Sequence, residues 1–437
     1  MKKTLKKILP TKLLIVYHYF LAKIATIIYG FPAKKMIIIG VTGTKGKTST
    51  INFIHACLQA GGLKTGLIST ANIRIGQKEQ LNKFHMTMPG RFTIQKLMKQ
   101  MVDQDCRYCL VETTSEGLKQ YRHIGVYYDI AVFTNLTPEH LPSHNNSFEK
   151  YRQAKLKMFK TLSTHKKIIN NQPVEKIIIA NSDSDQVNHF LKPQADKKIT
   201  FGLNKPADYT ALNIQTTETD INFSVKNSLF SLSLPGRFNI YNALPAIIIG
   251  HLANLSDQTI NQGLKNLTLI PGRMEIIKHN QNFKVFVDYA HEKESLTGVL
   301  TTAGNLKKDN GKIIVLLGAE GGGRDKAKRP AMGEVAAKLA DYIIVSNVDP
   351  YDDDPQVILE DIAKATEKFG KTRNQNLFVI EDRRQGINKA LTLAQDEDVV
   401  IITGKGAEQS MIIGSETIPW DDRKVVREEL EKIEKNK

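Results

Sequence analysis

The sequence predicts an α/β protein built on two parallel sheets, and three observations lead to this prediction. Short runs rich in Ile, Val and Leu alternate with segments of helical pattern, which is typical of βαβ units. This alternation occurs once in the middle of the chain and again after residue 271. The chain has 437 residues and only three cysteines, so it can bury several cores without a disulfide framework.

The chain begins with a short basic segment. Residues 1–35 contain eight lysines and no acidic residue, so half of the formal net charge of +16 lies there. Apolar residues within 12–29 predict an amphipathic helix that ends at Gly30, Phe31 and Pro32. The run is too short and too polar for a transmembrane span. Two interpretations stay open: a helix docked on the protein's own core, which we favour, and contact with a membrane surface.

The middle of the chain predicts a nucleotide-binding sheet. A glycine-rich turn follows its first strand, a helix over 48–60 follows the turn, and another helix is predicted over 240–252. Apolar and polar residues alternate over 199–234, which predicts a small antiparallel addition. The apolar runs that predict the strands of the main sheet are 36–40, 67–69, 109–112, 130–134 and 177–180.

A second βα series follows Pro271 and Gly272, a plausible hinge. We therefore predict three parts: a basic amphipathic helical tail over 1–35, a central P-loop domain with a parallel sheet over 36–270, and a C-terminal Rossmann-like α/β domain over 271–437. The apolar runs that predict the strands of this last domain are 284–288, 312–317, 342–345, 377–380 and 398–403.

The turn after the first strand is the strongest local signal. Residues 40–48 read G-x-x-G-x-x-G-K-T, with Val41 where the usual spacing has its first glycine. Glycines let backbone N–H groups wrap around phosphate, and the helix that follows adds its positive end. Lys47 would pair with the β- and γ-phosphates and Thr48 would bind Mg²⁺. The other residues predicted to cradle the nucleotide are Gly43, Thr44, Lys45, Gly46 and Ser49.

Three further residues are candidate site residues only because they occur together with the phosphate loop. Glu112 ends a predicted strand, where an acid can hold Mg²⁺ at the sheet edge. His140 follows the next strand, and Lys155 lies in a helical pattern. Taken alone, the carboxylate and the lysine would be solvated, and the histidine would be structural.

These residues, together with several motifs, resemble the Mur ligase family over about residues 36–425. Within the family the chain most resembles the ligases that add the third amino acid of the peptidoglycan stem peptide. The Gly-Arg-Asp-Lys signature at 323–326 supports this branch. The motifs that carry the resemblance, besides the phosphate loop and Glu112, are 135–140, 154–155, 234–243, 271–275, 288–291 and 404–406.

The resemblance implies an ATP-dependent amide ligase with a carbamylated Lys155. Lys47, Glu112, His140 and Lys155 would be catalytic, and Thr48, Glu112, His140 and Lys155 would hold Mg²⁺. Further nucleotide contacts would be Asn242, Arg273, Asp288 and His291. Contacts to the muramoyl peptide would be Thr87, Thr114, Gln120 and Arg122. Contacts to the incoming amino acid would be Arg324, Asp349, Tyr351, Gly404 and Glu408.

The sequence departs from the family pattern in two places that bear on substrates. The resemblance does not include the N-terminal uridine-binding domain that family members usually carry. Val348-Asp349-Pro350-Tyr351 stands where diaminopimelate enzymes usually have Asp-Asn-Pro-Arg. Without that arginine a bidentate carboxylate fork is lost, so the sequence does not support diaminopimelate specificity.

The implied substrates are ATP, UDP-muramoyl dipeptide and an amino acid such as lysine or diaminopimelate, joined through an acyl phosphate. We expect a cytoplasmic monomer with no nucleic-acid partner, and with peripheral membrane contact through residues 1–35 left open. Two alternatives remain. One is a folylpolyglutamate-synthase-like or other Mur-type ligase; the other is a non-catalytic nucleotide-binding protein that works through its basic tail. An amidating Mur-like subunit is disfavoured because its four-cysteine insertion is absent.

Overall fold

The computed structural model describes residues 11–84, 86–139, 141–217, 220–308 and 310–435, with only the backbone of 11–15. The described chain forms two compact units. The first contains residues 11–216, Asp220–Ser233 and Asn239–Leu267; the second contains Leu234–Phe238 and residues 268–435. Both units combine helices with parallel strands, which confirms the α/β fold class. Among the described residues, no helix has the length and apolar character needed to cross a bilayer.

The first unit is built on a nine-stranded sheet whose central strands are parallel and fully buried. Its order is β11-β10-β9-β6-β1-β5-β2-β3-β4. Apolar residues on both faces of the central strands explain their continuous Ile and Val runs. The strands are β1 Ile37–Thr42, β2 Thr65–Ile68, β3 Asn72–Ile75, β4 Lys78–Leu81, β5 Tyr108–Glu112, β6 Ile130–Phe133, β9 Ile177–Asn181, β10 Lys197–Gly202 and β11 Tyr209–Thr210.

Helices cover both faces of this sheet. The helix after the phosphate loop packs tightly on a later helix, where a Cβ at Gly263 would lie 2.6 Å from the Cys57 Cα. Pro245 lies inside one of the helices, at a buried position. The helices are α1 Thr11–Ile28, α2 Lys47–Ala60, α3 Arg91–Asp103, α4 Ser115–Lys119, α5 Phe148–Lys160, α6 Val187–Leu191, α7 Phe238–Leu252 and α8 Asp257–Asn266.

One prediction for this unit was partly wrong. We expected an antiparallel addition over 199–234, but β10 and β11 pair parallel to the main sheet. Only the second part of the segment is antiparallel, and its middle strand alternates between buried and partly exposed residues as the sequence pattern predicted. This small sheet consists of β12 Leu212–Thr216, β13 Ile221–Val225 and β14 Ser228–Leu232, and a separate two-stranded pair consists of β7 Ile168–Ile169 and β8 Gln172–Pro173.

The second unit is built on a six-stranded sheet of order β15-β16-β20-β17-β18-β19, parallel except for β15. Two hydrophobic clusters fill its two faces. Its strands are β15 Glu275–Ile276, β16 Lys284–Asp288, β17 Ile313–Leu317, β18 Tyr342–Val345, β19 Leu377–Val379 and β20 Val399–Thr403, with a hairpin of β21 Ser410–Ile413 and β22 Glu416–Pro419. Its helices are α9 Lys293–Leu306, α10 Lys328–Leu339, α11 Pro355–Lys368, α12 Arg383–Leu393 and α13 Asp422–Lys435.

Helix α1 docks on the first unit, as we favoured from the sequence. Its buried side consists of the small residues Ala22, Ala25 and Thr26, and it packs beside α3. A Cβ at Gly125 would lie 1.9 Å from the Thr26 hydroxyl, so only glycine permits this close approach. The docking therefore fixes which side of α1 faces outward.

Candidate active site

The phosphate loop lies between β1 and α2, and the segment that follows β6 braces it. The Asn135 side chain accepts a hydrogen bond from the Lys45 backbone N–H at 2.9 Å, and its carbonyl accepts one from Thr44 at 2.9 Å. The Thr134 hydroxyl donates to the Lys45 carbonyl at 2.6 Å. The Lys47 ammonium lies across the loop and donates to the carbonyls of Gly43 and Thr44. The loop is thus held in shape by the protein itself.

Two glycines of the loop adopt backbone angles that favour glycine. Gly46 has φ 80° and Gly43 has φ 154°. A Cβ at Gly46 would lie 2.3 Å from the Asn242 side-chain oxygen, and one at Gly43 would lie 2.0 Å from the Thr134 hydroxyl. Asn242, which we predicted as a nucleotide contact, therefore lies directly against the loop.

Glu112 lies beside the loop at the carboxyl end of β5. It is 2% exposed, and its carboxylate accepts a hydrogen bond from Thr48 at 3.0 Å. The Thr70 backbone N–H and hydroxyl donate to the same carboxylate at 2.8 and 3.0 Å. The structure thus brings together two of the four residues predicted to hold Mg²⁺.

Lys155 also reaches the loop. Its side chain is buried and donates to the Gly43 carbonyl at 2.7 Å. Burial lowers its pKa well below the usual value, the nearby Lys47 lowers it further, and Glu139 and Glu112 oppose the shift. The fourth predicted ligand, His140, lies outside the described residues. The neighbouring Glu139 pairs with Lys45 at 2.8 Å.

The donor set at this edge of the sheet fits Mg²⁺. The Thr48 hydroxyl and the buried Glu112 carboxylate are hard oxygen ligands of the kind that Mg²⁺ prefers, and they already share a hydrogen bond. Every partner of the carboxylate named above is a neutral donor, so its negative charge can still attract a cation. No group of three or more His, Cys, Asp or Glu side chains forms a metal cluster within the described ranges. Oxygens from phosphate and water would have to complete the ligand shell.

The residues predicted to contact the muramoyl peptide form one cluster next to Glu112. The Thr87 hydroxyl lies 2.8 Å from that of Thr70, which bonds Glu112. Arg122 donates to the Gln120 side chain at 2.8 Å and to the Met88 carbonyl, and burial lowers its pKa. Thr114 caps α4 by accepting from the Gly117 N–H at 3.1 Å. Thr87 is thus tied to Glu112 through Thr70, and Arg122 is tied to Gln120 and to Met88, the neighbour of Thr87 in the chain.

In the second unit, the residues predicted to contact nucleotide meet at the end of β16. Asp288 accepts hydrogen bonds from the backbone N–H groups of Met274 and Ala290, both at 2.7 Å. The Arg273 guanidinium stacks over the Tyr289 ring, 4.5 Å from its centroid. His291 lies 2.7 Å from the Tyr289 carbonyl. Asp288 therefore ties the β16 end to the start of the unit, and Arg273 has a fixed aromatic support.

Arg324 lies in a charged cluster that sequence reasoning missed in part. Burial raises the pKa of Glu320, but Lys328, His291 and Arg324 lower it more, so the carboxylate stays ionised. Burial lowers the pKa of Arg324, and Glu320 and a hydrogen bond to Tyr351 raise it above the usual value. The cluster thus places the guanidinium of the exposed Arg324 near the carboxylate of the partly buried Glu320.

Three other predicted amino-acid contacts surround Lys405. The buried Lys405 ammonium pairs with Asp349 at 2.9 Å and with Glu408 at 2.7 Å. Asp349 also accepts from the Ile412 N–H at 2.8 Å, so its carboxylate is engaged in holding the hairpin. Glu408 accepts from the Tyr289 hydroxyl at 3.3 Å. The Gly404 N–H donates to the Asp288 carbonyl at 3.2 Å.

Three important residues were missed from the sequence: Thr70, Glu320 and Lys405. Thr70 and Lys405 are ordinary residue types whose partners come from distant parts of the chain. The signal available for Lys405 was its place in the Gly404-Lys405-Gly406 motif. Glu320 lies just before the glycines that precede Arg324, where an acid could have been noticed.

Comparisons with known proteins show which family the chain resembles. Residues 41–250 match the family model of the Mur ligase middle domain, and residues 272–406 match that of the Mur ligase glutamate ligase domain. The UDP-N-acetylmuramoyl-L-alanyl-D-glutamate--2,6-diaminopimelate ligase of Clostridium botulinum is 36% identical over 411 residues, which are 93% of this chain and 80% of the relative. The UDP-N-acetylmuramyl-tripeptide synthetase of a Roseiflexus species is 34% identical over 421 residues, or 94% and 82%.

Solved structures show the same fold. A UDP-N-acetylmuramoyl-L-alanyl-D-glutamate--2,6-diaminopimelate ligase superposes with a TM-score of 0.59 at 26% identity, covering 92% of this chain and 79% of that one. A Mycobacterium tuberculosis folylpolyglutamate synthase complexed with ADP superposes with a TM-score of 0.69 at 17% identity, covering 88% and 91%. At this low identity the second likeness concerns the fold alone.

Proposed function

The chain belongs to the Mur ligase family and is an ATP-dependent amide ligase of peptidoglycan synthesis, and we propose that its acceptor is UDP-N-acetylmuramoyl-L-alanyl-D-glutamate. The observation that carries the proposal is the bridge made by Thr70. Its hydroxyl lies within hydrogen-bond distance of both Thr87 and Glu112. It therefore joins the cluster proposed to bind the muramoyl peptide to the proposed Mg²⁺ ligands beside the phosphate loop.

The chemistry requires activation of a carboxylate, since an amine cannot displace its oxygen directly. The acceptor carboxylate would attack the γ-phosphate of ATP to give an acyl phosphate and ADP, and the incoming amine would then displace phosphate. Lys47 would neutralise the β- and γ-phosphates, and Arg122 would hold the anionic peptide at the same edge. Mg²⁺, held by Thr48 and Glu112, would supply positive charge that offsets the repulsion between the two anions.

We propose that Lys155 is carbamylated. Its amine is buried and lies beside Lys47, an environment that disfavours a second ammonium and favours the neutral amine that reacts with CO₂. The reaction forms an N–C bond, releases a proton and leaves a carboxylate in place of the cation. That carboxylate would offer oxygen ligands next to Glu112 for a second Mg²⁺, with His140 as a further ligand.

The third amino acid is proposed to be lysine ahead of diaminopimelate. Tyr351, with φ 53°, occupies the place where diaminopimelate enzymes usually carry arginine, and it bonds Arg324. Arg324 can pair with the α-carboxylate of an amino acid, and the carboxylates of Glu320 and Glu408, each already paired with a lysine, would share their remaining oxygen lone pairs with a side-chain ammonium. A second carboxylate would lack its arginine partner.

We also propose a cytoplasmic monomer with three domains at 1–35, 36–270 and 271–437. Peripheral membrane contact would occur through residues 1–35. The support is the tail's excess of eight lysines over acids and the ligase chemistry, whose ATP is a cytoplasmic substrate.

The test is phosphate release from ATP and Mg²⁺ in the presence of UDP-muramoyl dipeptide, with single amino acids added in turn. Release should require both the dipeptide nucleotide and one amino acid, with lysine ahead of diaminopimelate. Lys47→Ala should lower the rate at least about 100-fold, because it removes charge stabilisation from the transition state. The matched control is Lys78→Ala, which removes an exposed lysine on β4.

Release that proceeds equally well in Lys47→Ala would contradict the assigned role of the loop. Phosphate release with a folate polyglutamate acceptor, but not with the muramoyl dipeptide, would identify the chain as a folylpolyglutamate-synthase-like ligase. Binding of ATP without release for any acceptor would favour the non-catalytic alternative.

A further inference from the structure

Helix α1 presents its large apolar side chains to solvent rather than to the core. The exposed members are between 45% and 64% exposed, whereas the side that docks carries small residues. A surface helix of a globular protein normally shows the opposite arrangement. The exposed apolar residues, which we call the outer face of α1, are Val16, Tyr17, Phe20, Ile24, Ile27 and Ile28.

The outer face is continuous. At 100° per residue its six members fall within an arc of about 120°, and Lys23 borders one edge. The orientation does not depend on the outer face itself. It is fixed by the Thr26–Gly125 approach and by the Tyr19 ring, which lies edge-on to Tyr121 at 5.8 Å. The docked helix thus exposes a continuous apolar strip to solvent.

The charge of the sequence segment that contains the outer face favours an anionic partner. Residues 1–35 carry eight lysines and no acid, so the outer face lies in a segment that repels cations and attracts anions. Helices with Ile, Phe and Tyr on one side and lysines nearby lie in the interface of anionic bilayers, with the apolar side among the acyl chains. An acidic protein partner would match the charge but would not need so wide an aliphatic strip.

We propose that α1 docks the protein on an anionic membrane surface, with its outer face inserted at the interface and the lysines of residues 1–35 paired with lipid phosphates. This extends the peripheral contact proposed above, and it does not depend on the ligase activity. The helix lies on the membrane and does not span it.

The docked side of α1 contacts the segment that carries part of the acceptor cluster. The Tyr19 ring of α1 lies edge-on to Tyr121, which lies between Gln120 and Arg122 in the chain. Arg91 at the start of α3 donates to the Gln120 carbonyl. The outer face of α1 therefore points away from the residues proposed to hold the muramoyl peptide and leaves them uncovered by α1.

The experiment is co-sedimentation of the full chain with vesicles of phosphatidylcholine alone or mixed with phosphatidylglycerol. Binding should require phosphatidylglycerol and should weaken as salt is raised, because the attraction is screened. The double variant Ile24→Ser/Ile27→Ser should bind roughly tenfold more weakly, since apolar insertion is lost. The matched control is Ile168→Ser/Leu229→Ser, which alters exposed apolar residues elsewhere.

The proposal is overturned if the unmodified chain stays in the supernatant with anionic vesicles, or if both double variants bind equally. It is also overturned if sedimentation velocity shows that the outer face mediates a dimer that does not bind vesicles. Vesicle binding is read without any turnover, so a failed ligase assay would leave this result intact.

Discussion

At the scale of single residues, the most informative contact is that of Lys155. Lys155 and Lys47 both donate to the Gly43 carbonyl, which places two amines at one backbone oxygen next to a site for anionic phosphate. Lys47 is the lysine that we propose to bind phosphate as a cation. The other is better suited to become an anion, which would turn a repulsive pair into an attractive one.

We expect a carbamate signal from Lys155 when the protein is equilibrated with ¹³C-bicarbonate and observed by NMR. Lys155→Ala should lose the signal and lower phosphate release by about 100-fold, because the proposed second Mg²⁺ loses an anionic ligand and stabilises the transition-state charge less well. Lys160→Ala, an exposed lysine on the same helix, should keep both. Full activity in bicarbonate-free buffer, together with no carbamate resonance, would rule the modification out.

The sequence was sufficient to predict the Thr48–Glu112 pair, because each residue follows a strand at the same sheet edge. It was not sufficient for Thr70, whose role arises only when β2 pairs beside β5 and brings its end to Glu112. Glu320 and Lys405 were missed for a similar reason. A buried charge can be interpreted only with its partners: Asp349 lies far from Lys405 in the chain, and Lys328 meets Glu320 only through the fold of the glycine-rich turn between them.

At the scale of elements, Asp129 forms buried ion pairs just before β6, at the end of the strand that lies away from the phosphate loop. Its carboxylate is fully buried and accepts hydrogen bonds from Lys167, from Lys176 at 2.7 Å and from the Ile38 N–H at 2.8 Å. It therefore links β1, β6 and the segment that leads into β9. These three neighbouring strands also carry the phosphate loop and the segment that braces it.

We expect Asp129→Asn to lower the free energy of unfolding by about 3–5 kcal/mol, because two largely buried ammonium groups lose their counter-charge. Urea denaturation at neutral pH measures this change. Asp105→Asn, which removes an exposed partner of Lys64, should cost less than about 1 kcal/mol. Equal changes in the free energy of unfolding for the two substitutions would show that the buried cluster contributes no more to stability than an exposed ion pair.

The elements themselves were largely readable from the sequence where periodicity was strong. The central strands and α2 lie within a few residues of their predicted bounds. The β3–β4 and β21–β22 hairpins were missed because short polar strands resemble loops in a pattern of apolar runs. The parallel pairing of β10 could not be read from alternation, since a partly exposed strand near the edge of a sheet can alternate whichever direction it runs.

At the scale of the whole molecule, buried histidines make stability depend on pH. Burial lowers the pKa of His55 to about 3 and of His123 and His144 to about 4. In the unfolded chain the pKa of each would be near 6.5. Both states are neutral above 6.5, so stability is full there. As the pH falls below 6.5 the histidines of the unfolded state take up protons before those of the native state. The free energy of unfolding therefore falls.

We expect the free energy of unfolding to fall between pH 6.5 and 5, by up to about 1.4 kcal/mol per pH unit for each of these histidines. Urea denaturation at several pH values measures the slope. His55→Gln should lower stability at pH 7.5 but make the slope shallower by roughly one third, since one of three such groups is gone. An unchanged slope in that variant would show that carboxylates alone cause the acid sensitivity.

The fold class was predictable for the whole molecule because βα alternation is visible in composition and period. The division of the chain was harder to read. Leu234–Phe238 belongs to the second unit although the residues before and after it belong to the first. Phe238 packs with the core of the second unit, and a packing preference of one aromatic side chain has no sequence signature.

The close approach of Gly46 to Asn242 also predicts which substitutions related genes can carry at these two positions. Any side chain at position 46 would collide with the asparagine 2.3 Å away, and every single-base change in a glycine codon that alters the residue adds at least a Cβ. A newly sequenced relative that keeps the asparagine but has lost this glycine would therefore have to move the Asn242 side chain away from the loop and hold a non-glycine residue at φ near 80°. Joint loss or joint retention of the two residues is the pattern that this contact predicts among related genes.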